Sequence, residues 1–141
     1  MKRIVTLTIA LILSGAYLSA REQYIYTQIS HDEGLTSTIN SIFKKEDGHL
    51  WIGSQNGLFR FNGTTLRHYK DPVFADKSVF YVGDDSVGDL WILTNDGMLR
   101  RKGSEEIFES IRTDRDNQPF FSMLCDKEGI WFGSTGKIYR F

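Results

Sequence analysis

The amino-acid sequence predicts an all-β protein built from a repeated unit, and three observations support this. Trp51, Trp91 and Trp131 follow one another at intervals of 40 residues, each in a similar stretch of sequence. An arginine stands nine positions after each tryptophan, at Arg60, Arg100 and Arg140. A period of about 40 residues is the length of one four-stranded propeller blade. The predicted fold is therefore an incomplete β-propeller of about three blades, each a four-stranded antiparallel meander.

The first copy, residues 36–70, shows the pattern of one blade. Asn56-Gly57 lies between two short apolar runs and is a strong signal for a hairpin. Turns are also predicted at residues 46–48 and at Asn62-Gly63, because glycine takes positive φ at little cost. Four strands are predicted, at residues 38–44, 50–52, 58–61 and 66–69.

The second copy, residues 77–111, repeats this pattern, with Asp96-Gly97 at the hairpin. Its last segment, Ser104 to Ile111, also fits a short helix with Ile107, Phe108 and Ile111 on one face. A strand is favoured because the segment falls where the first copy has its fourth strand, and local propensity is weaker than tertiary context. The third copy, residues 120–141, is predicted to stop at Phe141, inside its third strand.

The copies are joined by connectors at residues 70–77 and 112–119, which contain Pro72 and Pro119 and are predicted to be linkers. The segment 24–29 resembles the outer strand of the first copy but has no partner of its own. It is predicted to be an orphan outer strand of a missing last blade, since a propeller can close its ring in this way and hide its strand edges.

The first 20 residues differ from the rest. Lys2 and Arg3 precede an apolar run from Ile4 to Leu13, and small and polar residues then lead to Ala20. This pattern predicts a signal peptide at residues 1–20 and an exported, periplasmic or otherwise secreted, chain at 21–141. The apolar run is short for a transmembrane helix, which needs about 20 apolar residues.

Charge and cysteine content exclude several classes of protein. Without Lys2 and Arg3 the 17 basic side chains become 15, against 18 acidic ones, with no long run of one sign. Nucleic acid is therefore not an expected partner. The single cysteine, Cys125, cannot form an intrachain disulfide, so packing must stabilise the exported chain. Cys125 is interpreted as a small strand residue.

The repeated positions are interpreted as structural rather than as ligand contacts. Tryptophan can stack on a sugar ring, but a residue at the same place in every blade is better explained by packing between blades. The glycines are interpreted as turn or close-packing residues, because none begins a phosphate-binding loop followed by a helix. These glycines are Gly53, Gly57, Gly97, Gly133 and Gly136.

Candidate chemical groups do not form a site in the sequence. His31, His49 and His68 lack the spacing of metal ligands. The segment 114–118 carries oxygen ligands at alternate positions, but it lacks the glycine and closing glutamate of a calcium loop. Asp84 and Asp85 are neighbours on a strand and so point to opposite faces, unlike a glycosidase pair. No catalytic residue, metal or cofactor is predicted.

The first copy resembles the two-component regulator propeller repeat. The similarity is carried by Gly34-Leu35-Thr36-Ser37 and by residues 47–63, from Asp47-Gly48-His49-Leu50-Trp51 to Asn62-Gly63. The resemblance implies the periplasmic sensor region of a hybrid two-component protein with a membrane span and a histidine kinase, as in bacteria that degrade complex glycans. Leu93 and Arg101 depart from the pattern of the other copies, so the second copy is degenerate.

Three functions are compatible with this sequence. The first is part of an extracytoplasmic sensor propeller with a glycan-derived ligand. The second is a stand-alone exported binding or scaffolding module that closes its ring by self-association. The third, a secreted propeller lyase, has no candidate catalytic residues. The expectation is an incomplete product that is only marginally stable alone and is completed by missing blades in cis or by self-association.

Overall fold

The computed structural model describes residues 26, 28–29, 34–111 and 119–141, which form three antiparallel sheets of four, four and three strands. The first sheet contains β1 (Ile39–Lys44), β2 (Leu50–Ser54), β3 (Gly57–Phe61) and β4 (Leu66–His68). The second contains β5 (Val79–Asp84), β6 (Leu90–Thr94), β7 (Gly97–Arg101) and β8 (Glu109–Ile111). The third contains β9 (Ser122–Asp126), β10 (Gly129–Ser134) and β11 (Lys137–Arg140). The predicted all-β, incomplete propeller fold is confirmed.

The register of the strands shows that the repeat is structural. In the first sheet Trp51 lies opposite Phe43 on one side and Arg60 on the other. The second and third sheets place Trp91 and Trp131 opposite Arg100 and Arg140 in the same way. Equivalent positions in the three copies can therefore be compared directly.

The segment that also fitted a short helix ends in a strand. Glu109–Ile111 forms β8 and pairs antiparallel with β7, as the position in the repeat predicted. Phe108, just before this strand, is buried between the first and second sheets. Tertiary packing therefore decides the structure here, and local helix propensity does not.

The connector at residues 70–77 is more ordered than a linker. A single 3-10 turn spans Pro72–Phe74, and the Asp71 carboxylate caps it by accepting a hydrogen bond from the Val73 amide at 2.9 Å. Phe74 is buried and meets Phe108 edge to face at 4.8 Å between ring centroids. The connector thus contributes to the core.

The sheets pack face to face through their first strands and share two apolar clusters. Asn40 Nδ2 donates to the Val79 carbonyl at 2.9 Å, and Ser41 Oγ accepts from the Val82 amide at 3.0 Å, which ties β1 to β5. Between the first two sheets lie Trp51, Leu58, Tyr69, Phe74, Val79, Val82, Leu90, Ile92, Leu99 and Phe108. Between the last two lie Trp91, Leu93, Met98, Met123, Ile130 and Phe132.

Some predicted segments fall wholly or partly outside the described residues. The signal peptide at residues 1–20 and the oxygen-rich segment 114–118 lie outside them. Of the predicted orphan strand at 24–29, the structure describes Tyr26, Gln28 and Ile29, and it assigns none of the three to a strand. Within the part of the chain that is described, no helix is long and apolar enough to cross a membrane.

Candidate functional site

A groove of about 1050 Å³ lies at one end of the three sheets. The turns between the first and second strands of all three sheets contribute to it, at residues 45–49, 84–88 and 125–127. The connection between β7 and β8 adds Gly103 and Ser104, and the ends of β3 and β7 add Arg60 and Arg101. Because all three sheets line the groove, a ligand large enough to fill it would contact all three.

Lys45 connects the first sheet to the second across the groove. Its Nζ lies 3.1 Å from Asp84 Oδ2 and donates to the Gly88 carbonyl at 2.7 Å. The lysine side chain is largely buried, with 13% exposed. This ion pair therefore fixes the first turn against the second.

Asp85 organises the second turn and holds a buried tryptophan. Its Oδ2 accepts a hydrogen bond from Trp91 Nε1 at 2.8 Å, and its Oδ1 accepts from the amides of Val87 and Asp89 at 3.1 and 2.9 Å. A buried indole N–H normally requires such a partner. Asp85 thus satisfies the indole and shapes the turn with the same carboxylate.

The other aspartates in the groove are also engaged. Asp126 Oδ1 accepts from the amides of Glu128 and Gly129 at 2.7 and 3.0 Å. Asp47 Oδ1 accepts from the His49 amide at 3.0 Å and lies 3.0 Å from His49 Nδ1. Burial raises the pKa of Asp47, but the hydrogen bonds from His49 outweigh it and leave that pKa below its usual value.

Cys125 reaches the groove as a thiol and not as a thiolate. Burial, and then the carboxylates of Asp85, Asp84 and Asp126, raise the pKa of Cys125 to about 12. The thiolate is the nucleophilic form of cysteine. Cys125 therefore has no nucleophilic character near neutral pH.

The two tryptophans between the sheets have their faces covered. Trp51 and Trp91 are each 1% exposed. Tyr69 stacks on Trp51 at 5.4 Å, and the guanidinium of Arg101, from the second sheet, lies 4.8 Å from the Trp51 ring centroid. Phe141 lies 5.3 Å from Trp91. Neither ring is free to stack on a sugar.

The third repeat tryptophan, Trp131, is more exposed than the other two, but it has the same arginine neighbour. Trp131 is only partly buried, with Arg140 at 5.0 Å from its ring centroid. Arg60 and Arg100 each lie 5.6 Å from the centroid of their own tryptophan. The arginine side chain therefore covers an indole in all three copies, as a cation–π contact.

The repeat glycines lie at turns and at close approaches. Gly57, Gly97 and Gly136 have φ of 104°, 121° and 69°, a region that disfavours other residues. A Cβ on Gly53 would stand 2.7 Å from Val79 Cγ1, and one on Gly133 would stand 2.5 Å from Ser122 Oγ. Gly53 therefore permits the close contact between the first and second sheets.

The structure does not gather the histidines into one site. His49 lines the groove, whereas His68 stacks on Phe59 at 4.2 Å and its Nε2 lies 2.9 Å from the Asn56 carbonyl oxygen. His31 lies outside the described residues. Across residues 34–111 and 119–141, no group of three His, Cys, Asp or Glu side chains could hold a metal ion.

Sequence reasoning did not identify the roles of three residues that shape the groove. Lys45 and Asp85 occupy equivalent positions in the first two copies, and their opposite charges were the available signal. Arg101 stands where the other copies have Phe61 and Phe141, so it was treated only as degeneracy. In the structure Arg101 is 3% exposed and lies over Trp51.

Comparisons with known proteins agree with this architecture. The family model of the two component regulator propeller matches residues 33–56, a stretch that includes β1 and β2 of the first copy. PorZ, an essential bacterial surface component of the type-IX secretion system of Porphyromonas gingivalis, is 17% identical with a TM-score of 0.61. The alignment covers 76% of this chain and 18% of that one.

A second solved structure is the extracellular domain of the putative hybrid two component system BT4673 from B. thetaiotaomicron. It is 20% identical with a TM-score of 0.53, and the alignment covers 69% of this chain and 13% of that one. No curated protein sequence matches the chain. The chain thus has the fold of a short stretch of propeller from such extracellular and surface proteins, and it carries a two component regulator propeller repeat.

Proposed function

We propose that the chain is part of an extracytoplasmic sensor propeller of a two-component signalling protein. The observation that carries the proposal is the two component regulator propeller repeat at residues 33–56. The intact protein would carry the histidine kinase, and this segment would act in the periplasm or outside the cell. Its role would be to bind a ligand and not to transform it, since the groove aspartates are engaged and Cys125 is protonated.

We propose that the ligand is derived from a glycan and binds in the groove. Polar groups from three turns surround this space, including Ser86, Ser104 and Lys127. Sugars are recognised by several such groups at once, because each hydroxyl both donates and accepts hydrogen bonds. A ligand that contacts all three turns binds most tightly to one arrangement of the sheets. This difference in affinity between arrangements is what allows binding to produce a signal.

The experiment uses the purified chain and a panel of neutral and acidic oligosaccharides. Thermal denaturation should show that one class of fragment raises Tm, and chromatography should show that the fragment is recovered intact. Ser104→Trp would fill part of the groove and abolish the rise. Ser110→Trp, on exposed β8 away from the groove, is the matched control and should retain it. Cleavage of the fragment, or a Tm rise that survives Ser104→Trp, would contradict the proposal.

A second candidate function is a stand-alone exported binding or scaffolding module that closes by self-association. It is favoured by the outer face of the third sheet. Leu58 and Met98, at one repeat position, are 0% and 1% exposed, whereas Ile138 at the same position is 79% exposed. An apolar face of this kind is typical of an interaction surface.

A further inference from the structure

The first and second sheets differ in charge around their tryptophan and arginine. In the second sheet, Arg100 Nε lies 3.8 Å from Asp89 and its Nη2 lies 3.6 Å from Glu109, while Trp91 Nε1 donates to Asp85. Three carboxylates therefore surround this tryptophan–arginine pair: Asp85 accepts the indole N–H, and Asp89 and Glu109 balance the charge of Arg100, although Arg100 Nε itself makes no hydrogen bond.

The equivalent positions in the first sheet hold three basic residues. The register places Arg67 opposite Arg60, as Glu109 is opposite Arg100. His49 and Lys45 stand where the second sheet has Asp89 and Asp85. As a result Trp51 Nε1 is buried without a hydrogen-bond partner, and in the described part of the chain Arg60 forms no ion pair.

Arg101 adds a second guanidinium without a counter-charge. It is 3% exposed, its Nε has no hydrogen-bond partner, it forms no ion pair with another described residue, and its guanidinium lies 4.8 Å from the Trp51 ring centroid. Removing one guanidinium from water without an anion is costly. Arg60 and Arg101 both line the groove.

The aspartates of the groove do not supply the missing charge. Asp84 is paired with Lys45, and Asp85 is held by Trp91 and two backbone amides. Asp47 and Asp126 accept hydrogen bonds within their own turns. Glu46 also lines the groove, and among the described residues none of these carboxylates forms an ion pair with Arg60 or Arg101.

We propose that this junction binds a small oxyanion, the carboxylate of an acidic sugar or a sulfate or phosphate group, between Arg60 and Arg101. The planar guanidinium presents paired N–H donors that match the oxygens of these groups. By equivalence with Trp91, whose Nε1 is held by the turn of the second sheet, Trp51 Nε1 faces the turn at residues 45–49 of the first sheet, where it would be a further donor. The argument for this site rests on the contacts of these side chains and is independent of the proposed signalling role.

The test is an NMR titration of the whole chain labelled with ¹⁵N, which gives one indole signal for each of the three tryptophans. Sodium sulfate, sodium phosphate and sodium glucuronate are added separately at constant ionic strength, with glucose as the neutral comparison. The Trp51 signal should shift in a saturable way with an oxyanion and not with glucose. A shift with glucuronate alone would identify a carboxylate site, and a shift with all three salts would identify a general oxyanion site.

Variants decide whether the two arginines hold the anion. Arg60→Gln and Arg101→Gln should each weaken binding by at least about tenfold, the usual effect of losing one charged hydrogen bond. Arg140→Gln is the matched control, because Arg140 occupies the same repeat position in the third sheet, beside Glu128. If Arg101→Gln fails to fold, half-buried Arg60 still provides the test.

Two results would overturn the proposal. One is a Trp51 signal that no oxyanion shifts, and the other is an equal loss of binding in Arg60→Gln and Arg140→Gln. The sensing proposal fails independently of this one. If no oligosaccharide raises Tm but sulfate or glucuronate shifts the Trp51 signal, the sensing proposal is wrong and the oxyanion site stands.

Discussion

At the scale of single residues, the polar edge of each tryptophan distinguishes the copies more than its apolar ring does. Trp51 and Trp91 are equally buried, and each has its own arginine 5.6 Å from the ring centroid. Only Trp91 has an acceptor for its N–H. The second copy therefore uses this position for stability, whereas in the first copy the buried donor has no partner in the chain and is the one that the proposed oxyanion would satisfy.

Replacement of Asp85 by alanine should destabilise the chain by about 1–3 kcal/mol, the cost of leaving a buried donor unsatisfied. Chemical denaturation monitored by circular dichroism measures this change. Asp126→Ala is the control, because Asp126 also accepts two turn amides but no hydrogen bond from an indole. Equal losses in the two variants would mean that the Trp91 hydrogen bond contributes nothing.

Cys125 should make stability fall at alkaline pH. Its pKa is raised to about 12 in the folded chain by burial and then by Asp85, Asp84 and Asp126, whereas an unfolded thiol titrates near 8.5. Above about pH 8.5 the unfolded state loses a proton that the folded state keeps, so the free energy of unfolding falls as pH rises toward 12. Denaturation between pH 8 and 10 should show this decline in the wild type.

Cys125→Ser is the control for this decline, because serine does not titrate in this range. Burial also raises the pKa of Tyr69 and Tyr81, but an unfolded tyrosine titrates only near pH 10. The difference between wild type and variant should therefore appear first between pH 8.5 and 10. Identical slopes in that interval would exclude Cys125 as the cause.

At the scale of elements, the period and the turn residues were sufficient to predict the strands. Asn56-Gly57 and Asp96-Gly97 identify local hairpins, so strands β2, β3, β6 and β7 follow from short-range chemistry. The packing of Phe74 on Phe108 and the ion pair of Lys45 with Asp84 join residues 34 and 39 positions apart in sequence. Such contacts depend on how the sheets are placed, which a pattern within one repeat does not encode.

The groove was beyond sequence reasoning for the same reason. Its lining comes from three turns in three different copies, and none of these turns carries a catalytic or metal motif. The exchange of Asp85 for Lys45 is visible in copies aligned at 40 residues, but that of Glu109 for Arg67 is not, because the 40-residue interval aligns Ile107 with Arg67 and only the register equates Glu109 with it. Arg101 in particular gains its significance only from the ring it covers in the neighbouring sheet.

β2 and β5 lie too close together at Gly53 to accommodate a side chain there. A Cβ there would stand 2.7 Å from Cγ1 and 3.3 Å from the carbonyl oxygen of Val79, which is 0% exposed and cannot easily move. Gly53→Ala should therefore destabilise the chain by about 1–3 kcal/mol, as overpacking does. Thermal and chemical denaturation measure the loss.

Gly133→Ala is the matched control in the third sheet. Its Cβ would meet Ser122 Oγ, a hydroxyl that can rotate away, so the expected change is within about 0.5 kcal/mol. If Gly53→Ala were no more destabilising than Gly133→Ala, the contact between the first two sheets would be looser than the structure indicates.

At the scale of the whole molecule, the second sheet packs one face on the first sheet and the other on the third, whereas the first and third sheets each have an outer face. Val82 and Met123, which face the preceding sheet, are 2% and 5% exposed, whereas the equivalent Ile42 on the first sheet is 65% exposed. On the last sheet Leu124 and Ile138 are 55% and 79% exposed. The two outer sheets thus each retain apolar groups that the inner interfaces bury.

These outer faces predict that the isolated chain self-associates, because each provides the surface that the other would cover in a ring. Sedimentation or light scattering should show a mass that rises with concentration, and Ile138→Glu or Ile42→Glu should shift the chain toward the monomer by placing a charge in the contact. Ile107→Glu is the control, since Ile107 is 68% exposed but lies in the β7–β8 connection, off the outer faces. A wild-type chain that stays monomeric at every concentration and melts cooperatively would contradict self-association. In a longer protein the same faces would be covered by further blades, and Ile138→Glu would then lower Tm instead of changing the mass.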